Sequence, residues 1–176
     1  MFDKNFNIIL GERSSGRTFL LWEISKILKS LGYKICFLGC TNEFDYDDKF
    51  LSHFDFCRTF SSESNSNNPQ IVELVKEVVE RDRYDFIFID DMDVAYRTQP
   101  LRVKKMINNI SVCKISTCLT EIPILGEEFN LFNIKSNYDD SKLDERVTVE
   151  YKGATLGVKD FLLSLTRELK INNVLK

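Results

Sequence analysis

Gly11-Glu12-Arg13-Ser14-Ser15-Gly16-Arg17-Thr18 is the stretch that decides the fold. Before it stands the short apolar run Phe6-Asn7-Ile8-Ile9-Leu10. After it comes a helical stripe of Leu20, Leu21, Ile24, Ile27, Leu28 and Leu31 that stops at Gly32. A buried strand, a glycine turn and an amphipathic helix in this order form one unit. The eight letters fit the pattern G-x-x-x-x-G-K-[ST] except that Arg17 stands where lysine is expected. Glycines let the backbone turn, and the N–H groups at the start of a helix then face a common point where phosphate oxygens bind. Thr18 is the residue whose hydroxyl would face Mg²⁺.

Outward from the loop, strand-like and helix-like runs alternate. Lys34 to Leu38 reads as a second buried strand and Asp55 to Phe60 as a third. Glu43 to Asp55 between them is an acidic loop or short helix. Ser61 to Asn68 (SSESNSNN) is a polar low-complexity loop, expected to be mobile. Pro69 opens a helix with the stripe Ile71, Leu74, Val75, Val78 and Val79. Tyr84 to Ile89 is the most strand-like run and ends at Asp90-Asp91. A helix over Pro100 to Ile110 and a strand over Val112 to Leu119 follow. Phe129 to Lys135 and Arg146 to Tyr151 alternate as strands around a turn at Tyr138 to Asp144, and Val158 to Leu169 carries the stripe of a closing helix. This order predicts an α/β fold: a mostly parallel sheet with helices on both faces and right-handed crossovers. The length predicts a single domain over residues 1–176.

Composition narrows the function classes. Lys and Arg total 24 against 27 Asp and Glu, a net charge of −3, which disfavours nucleic-acid binding by bulk charge. No apolar run reaches the roughly 18 residues of a membrane span, and Met-Phe-Asp-Lys-Asn lacks the order of a signal peptide. The reading is a cytoplasmic protein with no membrane partner, or a nuclear or viral-factory one if the source is a eukaryotic virus. Only two alanines, with many Asn, Ile, Lys and Phe, point to an AT-rich genome, viral or low-GC bacterial. The five cysteines (Cys36, Cys40, Cys57, Cys113, Cys118) show no C-x-x-C and one histidine accompanies them, so they read as reduced packing residues rather than zinc ligands. Asp45, Asp47 and Asp48 lack the glycine and terminal glutamate of a calcium loop and read as a solvated acidic segment.

Asp90 at the strand tip is the metal candidate, placed to hold Mg²⁺ through water, facing Thr18 across the sheet edge. Two carboxylates compete to orient a water: Asp91, beside Asp90, and Glu43, just past the second strand. Arg97, Arg102, Lys104 and Lys105 form a local basic cluster suited to phosphate contacts that do not read sequence. A helix's solvated face explains the same cluster, and Arg97 is also a candidate arginine finger for a neighbouring subunit. Trp22, between stripe residues, is either partly buried or a partner anchor.

Ser14-Ser15-Gly16-x-Thr18 after the first strand resembles the Walker A loop of RecA-like P-loop NTPases, whose relatives include replicative-helicase ATPase domains. The likeness spans residues 5–152 as a topology, with the loop and Asp90 as its motifs. It implies ATP and Mg²⁺ as cofactors, with Gly11, Ser14, Ser15, Gly16, Arg17 and Thr18 on the nucleotide. It also implies Glu43 as the base near the end of the second strand, and a polar sensor at Thr117 or Thr120. The function implied is a weak or conditional ATPase in a nucleic-acid transaction such as recombination, helicase action, loading or packaging, in a homo- or hetero-oligomer. Arg17 departs from the family lysine and Glu12 puts a carboxylate on the loop, so a catalytically inactive scaffold subunit is the alternative. A nucleoside or nucleotide kinase is the second. Thymidine kinases share the loop but usually carry Asp-Glu at the second motif and often zinc cysteines. Viral packaging ATPases share Asp-Asp.

Overall fold

The computed structural model describes residues 2, 6–40, 47–59, 84–109, 112–119, 129–137 and 143–174. Glu43, Asp45, Thr120, the Ser61 to Asn68 loop and the helix expected from Pro69 lie outside these residues. Eight strands form one sheet: β1 (Phe6–Leu10), β2 (Ile35–Gly39), β3 (Phe56–Thr59), β4 (Phe86–Asp90), β5 (Cys113–Cys118), β6 (Asn130–Ser136), β7 (Val147–Tyr151) and β8 (Ala154–Gly157). Their spatial order is β3-β2-β4-β5-β1-β6-β7-β8. The first six run parallel, and β7 and β8 join antiparallel at one edge. The described helices are α1 (Arg17–Ser30), α2 (Asp48–Leu51), α3 (Met92–Thr98), α4 (Pro100–Asn109), α5 (Leu143–Arg146) and α6 (Val158–Val174).

The continuous apolar runs become central strands buried on both sides, because a strand sends alternate side chains to opposite faces. Ile9, Ile35, Phe37, Phe86 and Phe88 point to one face, where Leu20, Leu21, Ile24 and Leu28 of α1 and Phe161 and Leu165 of α6 cover them. Ile8, Cys36, Leu38, Ile87 and Ile89 point to the other, against Met92 of α3 and Val103 of α4. Each fully buried side chain of this size contributes about 1.5–3 kcal/mol. Helices thus cover both faces, as the alternation of runs predicts.

Helix α1 follows from its sequence. Leu20, Ile24 and Leu28 recur every four residues and are at most 1% exposed. Gly32, at φ 85°, lets the chain turn after it, and the amides of Gly32 and Tyr33 return to the carbonyls of Lys29 and Leu28 at 3.0 and 3.1 Å.

Three elements depart from the sequence expectation. Helix α3 fills the space directly after Asp91, and β8 extends the sheet beyond β7. The expected turn at Tyr138 to Asp144 gives way at Leu143 to α5, which holds Arg146, so β7 starts at Val147. Short α2 lies inside the acidic segment, with Asp47 capping it by accepting the Phe50 N–H at 2.6 Å. Trp22 packs on its own chain, stacked on Phe50 with ring centroids 5.0 Å apart and edge-on to His53 at 4.5 Å.

Candidate functional site

The site lies at the carboxyl ends of the parallel strands, where β1, β4 and β5 stop together. The register sets Leu10 opposite Cys118 and Gly39 opposite Asp90. Strand β5 sits between β1 and β4. The glycine loop therefore leaves one strand away from Asp90, with Thr117 between them.

The loop is tightly wound. Gly11 donates its N–H to the Cys118 carbonyl at 3.2 Å, and Ser15 donates to the Glu12 carbonyl at 3.2 Å. Ser14 and Gly16 adopt left-handed backbone at φ 63° and 95°. Glycine takes that conformation freely, and other residues rarely do. Gly11 has a different reason to be glycine: a Cβ there would stand 2.4 Å from Ile134 Cγ2 and 2.8 Å from its carbonyl oxygen. Gly16 precedes the first turn of α1, which has no side-chain cap and no acidic residue. Ser15 is 5% exposed, and its buried hydroxyl has no hydrogen-bond partner. A buried hydroxyl without a partner costs on the order of 1–3 kcal/mol.

Five of the residues singled out in the sequence meet here. Thr18 Oγ1 donates to Asp90 Oδ2 at 3.0 Å across a sequence separation of 72. Thr117 Oγ1 donates to the other carboxylate oxygen, Oδ1, and accepts the Asp91 N–H at 2.8 Å. Asp90 is 1% exposed and Thr117 is fully buried. Arg17 Nη1 lies 3.2 Å from Asp91 Oδ1. Asp91 itself is left-handed, at φ 51° and ψ 46°. Of the two sensor candidates, Thr117 lies at Asp90, and Thr120 is outside the described residues.

Two buried thiols stand near these carboxylates, Cys40 just past β2 and Cys118 at the end of β5. Burial pushes Cys40 well above the ordinary thiol range, with the Asp90 and Asp91 charges adding to the effect. Burial likewise raises Cys118, helped by Asp93. Both stay protonated packing groups at neutral pH. All five cysteines are free.

Asp93 was not singled out in the sequence, although it is the third carboxylate of Asp90-Asp91-Met92-Asp93. It is 2% exposed. Its Oδ2 accepts from Arg97 Nη2 at 2.5 Å and its Oδ1 from the Leu119 N–H at 3.3 Å, tying the end of β5 to α3. Arg97 is thus held by its own chain. Arg102 and Lys105 are exposed on α4 next to Leu101, which is 82% exposed, while Lys104 is half-buried.

On the other side of the loop a cavity of about 560 Å³ opens between Gly11 to Arg13 and the ends of β6 and β7. Asn133, Ser136 and Asn137 supply polar groups to its wall, and the Ser136 hydroxyl is buried without a partner. Nothing in the sequence pointed to these residues, because they lie over a hundred positions from the loop.

The oxygen donors suit a hard cation. Thr18 and Asp90 bring one hydroxyl and one carboxylate together, and Mg²⁺ bound with phosphate keeps several waters and needs few protein oxygens. Among the described residues no group of three or more His, Cys, Asp or Glu side chains is placed to cage a metal, and no described helix is long and apolar enough to cross a membrane. No protein-family model matches the chain, and no curated protein matches it by sequence.

Proposed function

We propose that this chain binds a nucleoside triphosphate, ATP in the first instance, with Mg²⁺ at the Gly11 to Thr18 loop. In this reading it is a P-loop protein of the RecA-like type. The observation that carries the reading is the Thr18–Asp90 contact at 3.0 Å beside a left-handed glycine loop at a helix start. Two residues far apart in sequence, each expected on chemical grounds to face Mg²⁺, touch. The strand order supports it too: β5 intervenes between the loop strand and the Asp90 strand and carries Thr117, a candidate polar sensor, one residue before its end.

In this reading the loop amides from Ser14 to Thr18 hold the phosphates, and the Arg17 guanidinium neutralises their charge. Thr18 and Asp90 would hold Mg²⁺, which supplies charge neutralisation on the phosphate oxygens. Thr117 fixes the Asp90 carboxylate by occupying its second oxygen. The cavity beside the loop, about 560 Å³, has room for a nucleoside. Hydrolysis is slow or conditional, because Arg17 replaces a compact point charge with a planar fork already engaged by Asp91. A nucleic-acid transaction is the proposed setting. Arg102 and Lys105, exposed on α4, are the candidate phosphate contacts, with Lys104 and Arg97 beside them.

Calorimetry with MgATP tests this directly. Wild type binds, and Thr18→Ala weakens binding by about tenfold or more. Phosphate release then rises with single-stranded DNA, and Arg17→Lys raises turnover further. Absence of binding at millimolar MgATP would sink the reading. The Arg17–Asp91 ion pair favours one second reading, a scaffold subunit that binds nucleotide without turning it over. It predicts no phosphate release under any condition.

A further inference from the structure

Arg17 departs from the expected loop lysine, and it has acquired a partner in the same site. Its side chain is 12% exposed and its Nη1 stands 3.2 Å from Asp91 Oδ1. That nitrogen has no aligned hydrogen-bond acceptor, so the ion pair leaves its donor capacity unused. Asp91 reaches Arg17 from left-handed backbone, a conformation that aspartate tolerates but seldom occupies. Its N–H is anchored on Thr117 Oγ1 at 2.8 Å, which fixes the backbone from which the carboxylate projects.

We propose that Asp91 is an internal counter-ion for Arg17, a latch that holds the place of phosphate and is displaced when a nucleotide binds. The inference rests on the phosphate-site reading above and adds a built-in competitor to it. A guanidinium this enclosed needs an anion nearby, because an uncompensated buried charge is strongly unfavourable. Asp91 supplies one oxygen, off-axis. A phosphate supplies several oxygens in a geometry that matches the fork of the guanidinium. Binding is then an exchange: the Arg17–Asp91 contact breaks, the Arg17–phosphate contact forms, and no covalent bond changes. The Asp91 carboxylate is released one residue past Asp90, where a water-orienting group is required. A ligand that must displace an internal competitor binds more weakly than the bare site would allow.

A double-mutant cycle tests this, with MgATP calorimetry on wild type, Asp91→Asn, Arg17→Gln and the double variant. Asparagine keeps the shape and the left-handed tolerance of aspartate and loses the charge. Asp91→Asn tightens binding about fivefold to tenfold, and the same change in the Arg17→Gln background alters it by less than about twofold. An equal gain in both backgrounds would mean general repulsion of phosphate by Asp91 and would overturn the latch. An unchanged or weaker affinity of Asp91→Asn also overturns it. Wild-type binding without the Asp91→Asn gain removes only the latch, whereas no binding in any of the four removes the phosphate site itself. Asp91→Gly, which also relieves the backbone, must reproduce the gain and guards against a misfolded asparagine variant. Should Arg17→Gln bind too weakly to measure, the Arg17 guanidinium resonance decides. Under the latch it moves when pyrophosphate is added to wild type and has already moved in Asp91→Asn. Indifference to Asp91→Asn overturns the proposal.

Discussion

The two ends of the same parallel sheet both carry buried polar side chains, and they treat them in opposite ways. At the amino ends a ladder crosses four strands. Asn7 Nδ2 donates to the Lys114 carbonyl at 3.2 Å, Asn130 Nδ2 donates to Asn7 Oδ1 at 2.9 Å, and the Tyr151 hydroxyl donates to Asn130 Oδ1 at 3.2 Å. Neutral amides satisfy one another there, and no residue of the ladder has positive φ. At the carboxyl ends stand Ser14 and Asp91 in left-handed backbone, a buried Ser15 hydroxyl without a partner, and an Arg17 nitrogen without an aligned acceptor. A closed network lowers the energy of the fold. An open one, with strained backbone around it, raises that energy, and a ligand can lower it again.

Gly11→Ala is the hardest way to break that contrast. The added Cβ would lie 2.4 Å from both Ile134 Cγ2 and the Ser15 hydroxyl, and 2.8 Å from the Ile134 carbonyl. The flexible contacts can yield, but the backbone carbonyl belongs to a strand paired with β7. The expected loss is about 3 kcal/mol of stability together with MgATP binding, read by chemical denaturation and calorimetry. A variant with native stability and native affinity would show that the loop is not packed against β6 as described.

Asn130→Ala separates the two ends. It removes one donor to Asn7 Oδ1 and one acceptor of the Tyr151 hydroxyl, both at the amino ends of the sheet. The expected cost is about 2 kcal/mol of unfolding free energy, with MgATP affinity unchanged. Asp90→Asn should do the reverse: little loss of stability and loss of Mg²⁺-dependent binding. If Asn130→Ala also weakens nucleotide binding, the two ends are coupled and the division fails.

Much of this was legible in the chain and some was not. The central strands announced themselves because runs such as Phe-Asn-Ile-Ile-Leu and Phe-Ile-Phe-Ile are apolar on both faces and end at glycine or aspartate. The loop and Asp90 were visible for the same reason: each sits where an apolar run stops. Helix α3 was hidden, being seven residues long with no start signal beyond Asp91. Strand β8 was hidden because it is mostly exposed and carries no apolar alternation. The insertion of β5 between β1 and β4 is a tertiary fact that no local pattern encodes, and with it went the placing of Thr117 beside Asp90. The Arg17–Asp91 pair depends on one left-handed residue, which sequence does not specify. Asn7 was read as part of an apolar run, so the polar ladder was missed altogether.

Lys114 tests the amino end at a smaller scale. It is fully buried, its Nζ donates to the Val112 carbonyl at 2.8 Å, and burial pulls its pKa from 10.5 down to about 8. Because the folded value lies below the unfolded one, its contribution is most favourable above pH 10.5 and is lost as pH falls through about 8. At neutral pH the charged amine is a burden. Lys114→Met should therefore raise stability at pH 7 by on the order of 1 kcal/mol. The advantage over wild type should shrink as pH rises toward 10, measured by urea denaturation across that range. A methionine variant that is less stable at pH 7 would show that the Val112 bond outweighs desolvation.

The smallest effect belongs to His53, which packs edge-on to Trp22 beside the loop's own helix. Burial lowers its pKa below the ordinary 6.5, and Lys29 and Lys26 act in the same direction, while a backbone bond involving Ser25 and the Asp55 charge oppose them. The unfolded chain therefore takes up the proton first as pH falls. Its contribution to stability is complete above about pH 6.5 and declines as pH drops through the folded value. Melting curves between pH 7.5 and 5 should show a shallow acid-side loss in wild type that His53→Phe removes, since phenylalanine keeps the contact with Trp22 and cannot be charged. At any one pH in that range, His53→Phe and wild type should bind MgATP equally. A difference in affinity between the two would mean that the aromatic cluster on α1 and the Gly11 to Thr18 loop respond as one unit, and the contrast between a closed framework and an open site would then have to be redrawn around α1.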